Sequence, residues 1–387
     1  MKDKIALFLL YGYLLVDSIS GITIREYGIS ISFIYKFLMI VYLLLALKSK
    51  KLYIFITWTI LLFSIYHTSL SENFYLYLKS IEIYAQFILI FVCYLFFAKR
   101  IKYNIHIRRF FIFSYVVLVS NILLGSIGFG YSQYGGDISS IGTKRFIYAG
   151  NEIAGALFCV TSFFLIYLYS ENKYKFYFIF GVLSIFVASL TGTKASIGSV
   201  LISFLIIPFL YRENTFGKNK AIFKFFLILI FPIIGFLAIN FLLYEVNLFQ
   251  RISYFSSKHD YITVLLSGRN VWFSQAIYLF LNDYSFFDIL FGRGVSWWSD
   301  ILGNKSTEID AIDVLMSFGL VGFLIIYGFF IRVFILVLST NNERSKCVGF
   351  CVLMLLAMSL TSGHIVFSAT AGPLIGALMS FAYYKKQ

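Results

Sequence analysis

The sequence predicts an all-α integral membrane protein, a polytopic helical bundle of about 12 transmembrane helices that forms a single domain over residues 1–387. The first observation is composition: 60% of the 387 residues are hydrophobic, 20% are aromatic and only 13% are charged. Soluble domains are about 45–50% apolar and about 25% charged. The second observation is a series of long apolar runs. Together they exclude a secreted disulfide scaffold, a cytosolic enzyme and a nucleic-acid binder.

Each apolar run is predicted to form one helix, because about 20 apolar residues are needed to cross the hydrocarbon core. The first run has no small-residue cleavage site and is followed at once by another run, so it is predicted to be a span and not a signal peptide. The runs centre on residues 5–20, 29–47, 52–68, 81–98, 110–129, 152–170, 176–191, 195–211, 221–243, 314–337, 347–362 and 365–382.

The distribution of Lys and Arg predicts the orientation of the bundle. Connections on the side of the N-terminus hold roughly twice as many Lys and Arg residues as connections on the other side, and cytoplasmic loops are the basic ones. Both termini are therefore predicted to lie in the cytoplasm. The net charge of +14 is explained by topology, so membrane lipid and not nucleic acid is the predicted partner.

One connection, residues 244–313, is much longer than the others and is predicted to lie outside the cell. It contains three of the four tryptophans together with a mixture of arginines and acids. A loop of this length is predicted to carry its own short helices and a function. Trp272, Ala276 and Phe280 follow one another at helical spacing, which predicts a helix over Arg269–Leu281 that lies on the membrane surface.

Cations at the predicted external ends of the spans are candidate ligands for a lipid diphosphate. The planar guanidinium of arginine matches phosphate oxygens in a bidentate arrangement. The alternative is interfacial anchoring, in which the long side chains reach from the apolar region to water. The candidates are Arg145, Lys194, Arg251, Arg269 and Arg293.

Acidic residues precede the run that begins at 314. Asp313 has a simple alternative explanation, because an acid is favourable at a helix N-terminus. Glu308 and Asp310 are candidates for a general base that activates a sugar hydroxyl.

The four cysteines lie inside apolar runs without Cys-x-x-Cys spacing. No disulfide, no metal site and no cofactor is therefore predicted.

Several motifs in a fixed order resemble the O-antigen polymerase and ligase superfamily of bacterial surface-glycan assembly. They are the turn Leu190-Thr-Gly-Thr-Lys-Ala-Ser196, the stretch Ser267-Gly-Arg-Asn-Val-Trp272, the turn Phe291-Gly-Arg-Gly294 and the stretch from Glu308 to Gly322. Ligases of this superfamily carry a histidine at the position of Glu308. The glutamate here favours the polymerase branch.

The resemblance implies glycosyl transfer between two undecaprenyl-diphosphate-linked glycans at the outer face of a bacterial cytoplasmic (inner) membrane. Arg269, Glu308 and Asp310 are the implied catalytic residues, and no metal is required. The implied substrate-binding residues are Lys194, Arg145, Arg293, Arg251 and Trp272. The family also implies a chain-length regulator protein as a partner.

Two alternatives remain open. A ligase, which transfers finished glycan to the lipid A core, would need the same fold. A flippase for lipid-linked oligosaccharide would also have about 12 spans, but charges inside the bundle would be expected there. Here most of the external charge is gathered in the one long loop, and Lys36 and Arg332 are the main charges within the predicted spans, which disfavours transport. The aromatic residues of the long loop are candidates for packing on sugars, or for an interfacial belt.

Overall fold

A computed structural model of the protein describes residues 2–70, 74–100, 104–131, 144–147, 152–211, 263, 268–295, 297, 307–340 and 342–383. This part of the chain is helical and contains no strand. One isolated antiparallel bridge joins Tyr131 and Arg145. The predicted all-α class is therefore confirmed.

The described residues form thirteen α-helices, which are numbered here in chain order. They are α1 (Lys2–Tyr27), α2 (Ile31–Leu47), α3 (Lys50–Leu70), α4 (Phe74–Arg100), α5 (Asn104–Ser126), α6 (Glu152–Ser170), α7 (Tyr174–Leu190), α8 (Lys194–Leu210), α9 (Arg269–Asn282), α10 (Phe286–Phe291), α11 (Asp310–Ser339), α12 (Glu343–Thr361) and α13 (Gly372–Ser380). A 3₁₀ turn, Phe381–Tyr383, follows α13.

Six stretches within these helices are long and apolar enough to cross a membrane, which supports the prediction of a membrane protein. They are Lys2–Tyr27, Ser80–Lys99, Ile105–Ser126, Glu152–Ser170, Asp310–Ser339 and Glu343–Thr361. Shorter apolar helices accompany them at Ile31–Leu47, Tyr174–Leu190, Lys194–Leu210 and Gly372–Tyr383. The number of about 12 spans and the orientation stay predictions.

Eleven of the predicted runs coincide with helices, and the run 221–243 lies outside the described residues. Most bounds differ by a few residues, and two of the differences bear on the site. Helix α11 begins at Asp310 and not at 314, because Asp310 and Asp313 both occupy its first turn, where acids are favourable. The last run, 365–382, is helical only from Gly372 onward. Residues 362–371 form an irregular segment, called here the broken segment.

Helix α13 lies in the centre of the bundle, and all nine of its residues are buried. It packs against α4 and α6. A side chain at Gly376 would lie 2.6 Å from the carbonyl oxygen of Ile90, so glycine allows the two backbones to approach closely. Helices α6 and α8 run side by side, and the hydroxyl of Ser162 donates to that of Ser203 over 3.2 Å.

A break at Gly319 divides α11 into two helical parts. Gly319 has φ 61° and ψ −166°, a conformation that is accessible essentially to glycine alone. A side chain at Gly319 would overlap backbone atoms of Leu290 and Phe291, and one at Gly292 would overlap those of Ser317 and Phe318. These two glycines therefore dock the cap, residues 268–297 as far as they are described, on α11.

Candidate functional site

The broken segment is held by acidic side chains from three different helices. The carboxylate of Asp310 accepts backbone N–H groups of His364, of Ile365 at 2.7 Å and of Val366 at 2.9 Å. An irregular backbone inside an apolar bundle needs such acceptors, because its N–H groups have no helical partners. Asp310 is 1% exposed, so this interaction is fully internal.

Glu152, the first residue of α6, holds the same segment further along. Its Oε2 accepts the Ser368 hydroxyl at 2.8 Å and the Thr370 N–H at 3.3 Å. The Thr370 hydroxyl donates to Asp17 of α1 over 3.1 Å. Three helices that are far apart in the sequence therefore converge on residues 364–370.

Asp17 and Lys36 form a buried ion pair that the sequence analysis missed in part. Lys36 Nζ lies 2.7 Å from Oδ1 and 2.8 Å from Oδ2 of Asp17, and the Ser32 hydroxyl also donates to this carboxylate. Lys36 was recognised as a charge within a span, whereas its partner was not. The available signal was the occurrence of Asp17 in the neighbouring apolar run. Arg332, in contrast, is exposed.

Arg269 and Glu308 lie together at one end of the bundle, called here the site end. Arg269 Nη2 is 2.6 Å from Glu308 Oε2 and 3.4 Å from the Ser362 carbonyl oxygen, to which it also donates. The side chain of Arg269 is 16% exposed and that of Glu308 is 44% exposed. The pair is therefore accessible from one side while it rests on the broken segment.

Local backbone geometry explains how Arg269 reaches this position. Gly268 precedes α9 with φ 84°, and its N–H donates to the Thr263 carbonyl oxygen over 2.8 Å. Glycine tolerates this left-handed conformation, which turns the chain sharply into the helix. Arg269 is thus the first helical residue, and Trp272 follows one turn later.

Glu308 stands at a tight crossing with the broken segment. A side chain at Gly363 would lie 2.5 Å from the Glu308 carbonyl oxygen. Glu308 has φ 54° and His364 has φ 57°, and they are two of the four non-glycine residues with positive φ in the described part of the chain. Strained conformations of this kind concentrate at functional sites.

The three acids at the start of α11 differ in their surroundings. Asp313 accepts the N–H of Thr307 at 3.0 Å and also its hydroxyl, so it ties the chain before α11 to the first turn of this helix. Asp310 is committed to three N–H groups of the broken segment. Glu308 alone is substantially exposed. Of its two side-chain oxygens, only Oε2 accepts a hydrogen bond from a described residue.

Arg293 is engaged inside the cap. Its Nε lies 2.9 Å from Asp288 Oδ2, and its Nη2 donates to the Asp283 carbonyl oxygen over 2.7 Å. Its guanidinium also lies 4.2 Å from the ring centroid of Trp297. These contacts give Arg293 a structural role inside the cap.

Asp288 is the anchor of α10 within the cap. Burial on its own would raise the pKa of this carboxyl, but hydrogen bonds from Tyr66 and Ser285 and the neighbouring Arg293 outweigh burial and lower the pKa below its usual value. The Tyr66 hydroxyl donates to Asp288 over 2.5 Å, so α3 also supports the cap.

The remaining candidate residues lie in other places. Arg145 is fully buried, and its backbone pairs with Tyr131. Lys194 is the exposed first residue of α8. Ser162 of α6 and Ser203 of α8 are in contact and lie at similar distances from the starts of their helices, so Lys194 lies level with the start of α6. Trp272 is partly buried in a small cluster around Ala276. Arg251 lies outside the described residues.

This arrangement supplies a cation beside a carboxylate at the end of an apolar bundle, which suits charge stabilisation combined with proton transfer. Within the described ranges, no three His, Cys, Asp or Glu side chains are grouped as metal ligands.

In comparisons with known proteins, the chain matches no family model and no curated sequence.

Proposed function

We propose that the protein is a membrane-embedded glycosyltransferase that polymerises undecaprenyl-diphosphate-linked oligosaccharide units into O-antigen or a related surface polysaccharide. The observation that carries the proposal is the ion pair between Arg269 and Glu308, 2.6 Å long and partly exposed at the site end. Both residues belong to motifs that resemble the polymerase and ligase superfamily. The apolar helices around them suit a substrate with a long lipid tail.

In the proposed reaction, a hydroxyl oxygen of one unit attacks the anomeric carbon of the sugar that is attached to the other lipid diphosphate. The bond between this carbon and the phosphate oxygen breaks, and the diphosphate leaves as an anion. Arg269 stabilises the charge that develops on the leaving group. The proton of the attacking hydroxyl passes to Glu308.

Glu308 is a better general base than Asp310 in this reaction. A base must come within hydrogen-bond reach of the attacking hydroxyl, and Glu308 is 44% exposed, whereas Asp310 is 1% exposed. The oxygens of Asp310 already accept three N–H groups. We therefore assign Asp310 the role of holding the broken segment beneath the pair.

Other cations complete the proposed substrate site. Lys194 is the exposed cation at the start of α8 and is proposed as a second ligand of a diphosphate, and Trp272 as a surface for a sugar ring. Arg145 and Arg293 are proposed to act indirectly, since one is fully buried and the other is held by Asp288. In this proposal the site end faces the outside of a bacterial cytoplasmic membrane, both termini are cytoplasmic, and a chain-length regulator is a further partner.

The test is a gel of surface glycan from a deletion strain that carries the wild-type gene or single variants. Arg269→Ala and Glu308→Gln are expected to leave a single repeat unit on the normal acceptor, at unchanged membrane levels of the protein. Arg332→Ala is the matched control, because Arg332 is exposed on the long helix α11, away from the site end. Full-length polymer from Arg269→Ala would remove this residue from the site.

The deletion strain itself distinguishes the polymerase from the ligase. Loss of all attached glycan, with long chains still on the lipid carrier, would identify a ligase and overturn the proposal.

A second candidate is translocation of lipid-linked oligosaccharide, and the broken segment favours it. Transporters use interrupted helices and buried charges near the substrate, and Asp17, Lys36 and Thr370 form such a cluster. Purified protein in liposomes separates the two functions. Polymer formed from lipid-linked units on one face supports the glycosyltransferase, whereas movement of units across the bilayer without new glycosidic bonds supports the transporter.

A further inference from the structure

The cap carries an apolar ridge that no described part of the protein covers. Phe286 and Phe287 of α10 are 69% and 60% exposed, and Tyr278 and Leu281 at the end of α9 are 66% and 73% exposed. The rings of Phe286 and Phe287 touch each other edge to face, with centroids 5.7 Å apart. The four exposed side chains lie on two consecutive helices and within ten residues of one another in the sequence.

The opposite side of α10 is fixed to the bundle by polar contacts. Asp288 binds Tyr66 of α3 and the N–H of Ser285 at the start of α10. The carbonyl oxygen of Phe291 lies 3.2 Å from Nε2 of His67, again on α3. Helix α10 therefore has one determined orientation, with the two phenylalanines directed away from the protein.

The height of the ridge along the bundle follows from the break in α11. Residues 320–339 form a continuous helix whose length, about 30 Å, equals the thickness of the hydrocarbon core. With residues 320–339 taken as the span, Gly319 lies at one boundary of the core. Because Gly292 and Gly319 dock α10 on residues 317–319, the ridge lies at the same boundary.

An exposed apolar stripe continues from this boundary along α11. Leu320, Leu324, Ile331 and Ile335 are exposed on one side of the helix, and Leu324 is 68% exposed. Such side chains are stable in contact with lipid tails. With residues 320–339 as the span, this stripe faces lipid, and α10, which docks at residues 317–319, lies beside the headgroup layer, where aromatic residues are preferred.

We propose that the ridge of Tyr278, Leu281, Phe286 and Phe287 is a membrane-interface anchor whose partner is the lipid at the site end of the bundle. The anchor fixes the height of the cap, and with it Arg269, against the headgroup layer. This inference rests on the proposed function in one respect: it assigns the ridge the task of holding the Arg269–Glu308 pair at the level of a lipid-linked diphosphate.

The first test measures the position of the ridge and requires no activity. The four native cysteines are buried, so spin labels can be attached to Phe286→Cys or Phe287→Cys in the full protein in lipid nanodiscs. Label accessibility to oxygen, which enters lipid, is compared with accessibility to a water-soluble nickel complex. Leu324→Cys serves as the reference in lipid and Glu171→Cys, in an exposed polar turn, as the reference in water.

We expect the labels at 286 and 287 to favour oxygen over nickel, with values between the two references. Nickel accessibility equal to that at position 171 would place the ridge in water and overturn the proposal. Protection from both reagents would mean that protein covers the ridge, which would also overturn it.

The second test measures the consequence for the reaction. The double variant Phe286→Ser/Phe287→Ser is expected to raise KM for a polyprenyl-diphosphate-linked donor about tenfold, with little change in kcat, because two large apolar side chains no longer hold the cap on the membrane. Phe286→Leu/Phe287→Leu keeps the apolar surface and should retain the wild-type KM. An unchanged KM in the serine variant would refute the assigned task, while the labels alone decide whether the ridge is embedded. Lack of glycosyl transfer by the wild-type protein would count against the proposed function and would leave the labelling result unaffected.

Discussion

The buried pair of Asp17 and Lys36 leads to a quantitative prediction about stability. Lys36→Met removes the ammonium and leaves the Asp17 carboxylate, which is 4% exposed, with the hydroxyls of Ser32 and Thr370 as its donors among the described residues. Asp17→Asn leaves the ammonium of Lys36 without its counter-charge. Removing one partner of a buried ion pair costs about 3–5 kcal/mol, because the other charge stays buried and uncompensated.

The double variant Asp17→Asn/Lys36→Met should behave differently from the sum of its parts. It removes both charges, and the asparagine can still accept the hydrogen bond of Thr370. Replacement of a complete buried pair is often neutral, so we expect the double variant to lose less than about 2 kcal/mol. Two independent losses would add to about 6–10 kcal/mol, and the coupling energy is therefore expected to be about 4 kcal/mol or more.

The assay is the thermal midpoint of the purified protein in lipid nanodiscs, followed by tryptophan fluorescence. At about 2 °C per kcal/mol, each single variant should melt about 6–10 °C below the wild type and the double variant within about 4 °C of it. The control is Lys4→Met, which alters an exposed lysine of α1, the helix that carries Asp17. It should leave the thermal midpoint unchanged. A double variant as unstable as the sum of the single variants would refute the reasoning.

Three further predictions concern the break, the broken segment and the cap. Gly319→Ala should lower the free energy of unfolding by about 2–3 kcal/mol, because the backbone becomes strained and the new side chain overlaps α10. Limited proteolysis would detect this change as faster cleavage at Arg293. Gly328→Ala, where a side chain meets open space, should have no effect. Asp310→Asn should lower hydrogen-exchange protection of the amides at 364–366, since the amide side chain has a single acceptor oxygen, and a loss of about 1–3 kcal/mol is expected; unchanged protection would contradict the assigned role. The folded pKa of Asp288 lies below the usual 3.8, so its contribution to cap stability is present above that value and is lost as the pH falls through the lower folded value. Fluorescence melts at pH 6 and at successive pH values below 3.8 should show this loss, and Asp288→Asn should remove this part of the pH dependence.

The helices could be predicted from the sequence because each depends on a local property, a continuous apolar run. The last run shows where this reasoning stops. Residues 365–371 are as apolar as a helix requires, but their N–H groups and hydroxyls are bound by Asp17, Glu152 and Asp310, which lie far away in the chain. No local pattern reveals that a distant carboxylate competes with the helical hydrogen bonds of a segment.

The candidate site shows the same division. Arg269 and Glu308 were singled out by residue type and by motif order, and the structure brings them together. Their support could not be predicted, because it depends on the crossing of Glu308 with Gly363. Arg293 illustrates the opposite case: its residue type indicated a phosphate ligand, but Gly292 turns the chain so that Asp288 becomes its neighbour.

The central position of the broken segment and α13 has a consequence for the order in which the protein assembles. Residues 362–383 follow the described helices that they contact, and Thr370 contacts Asp17 and Tyr13, which precede it by 353 and 357 residues. During synthesis, α1, α4, α6 and α11 must therefore enter the membrane before the element that joins them exists. A nascent chain that has reached α12 holds Asp310 without the N–H groups of residues 364–366 and Asp17 without the hydroxyl of Thr370, so these contacts between helices form only after residues 362–383 are made.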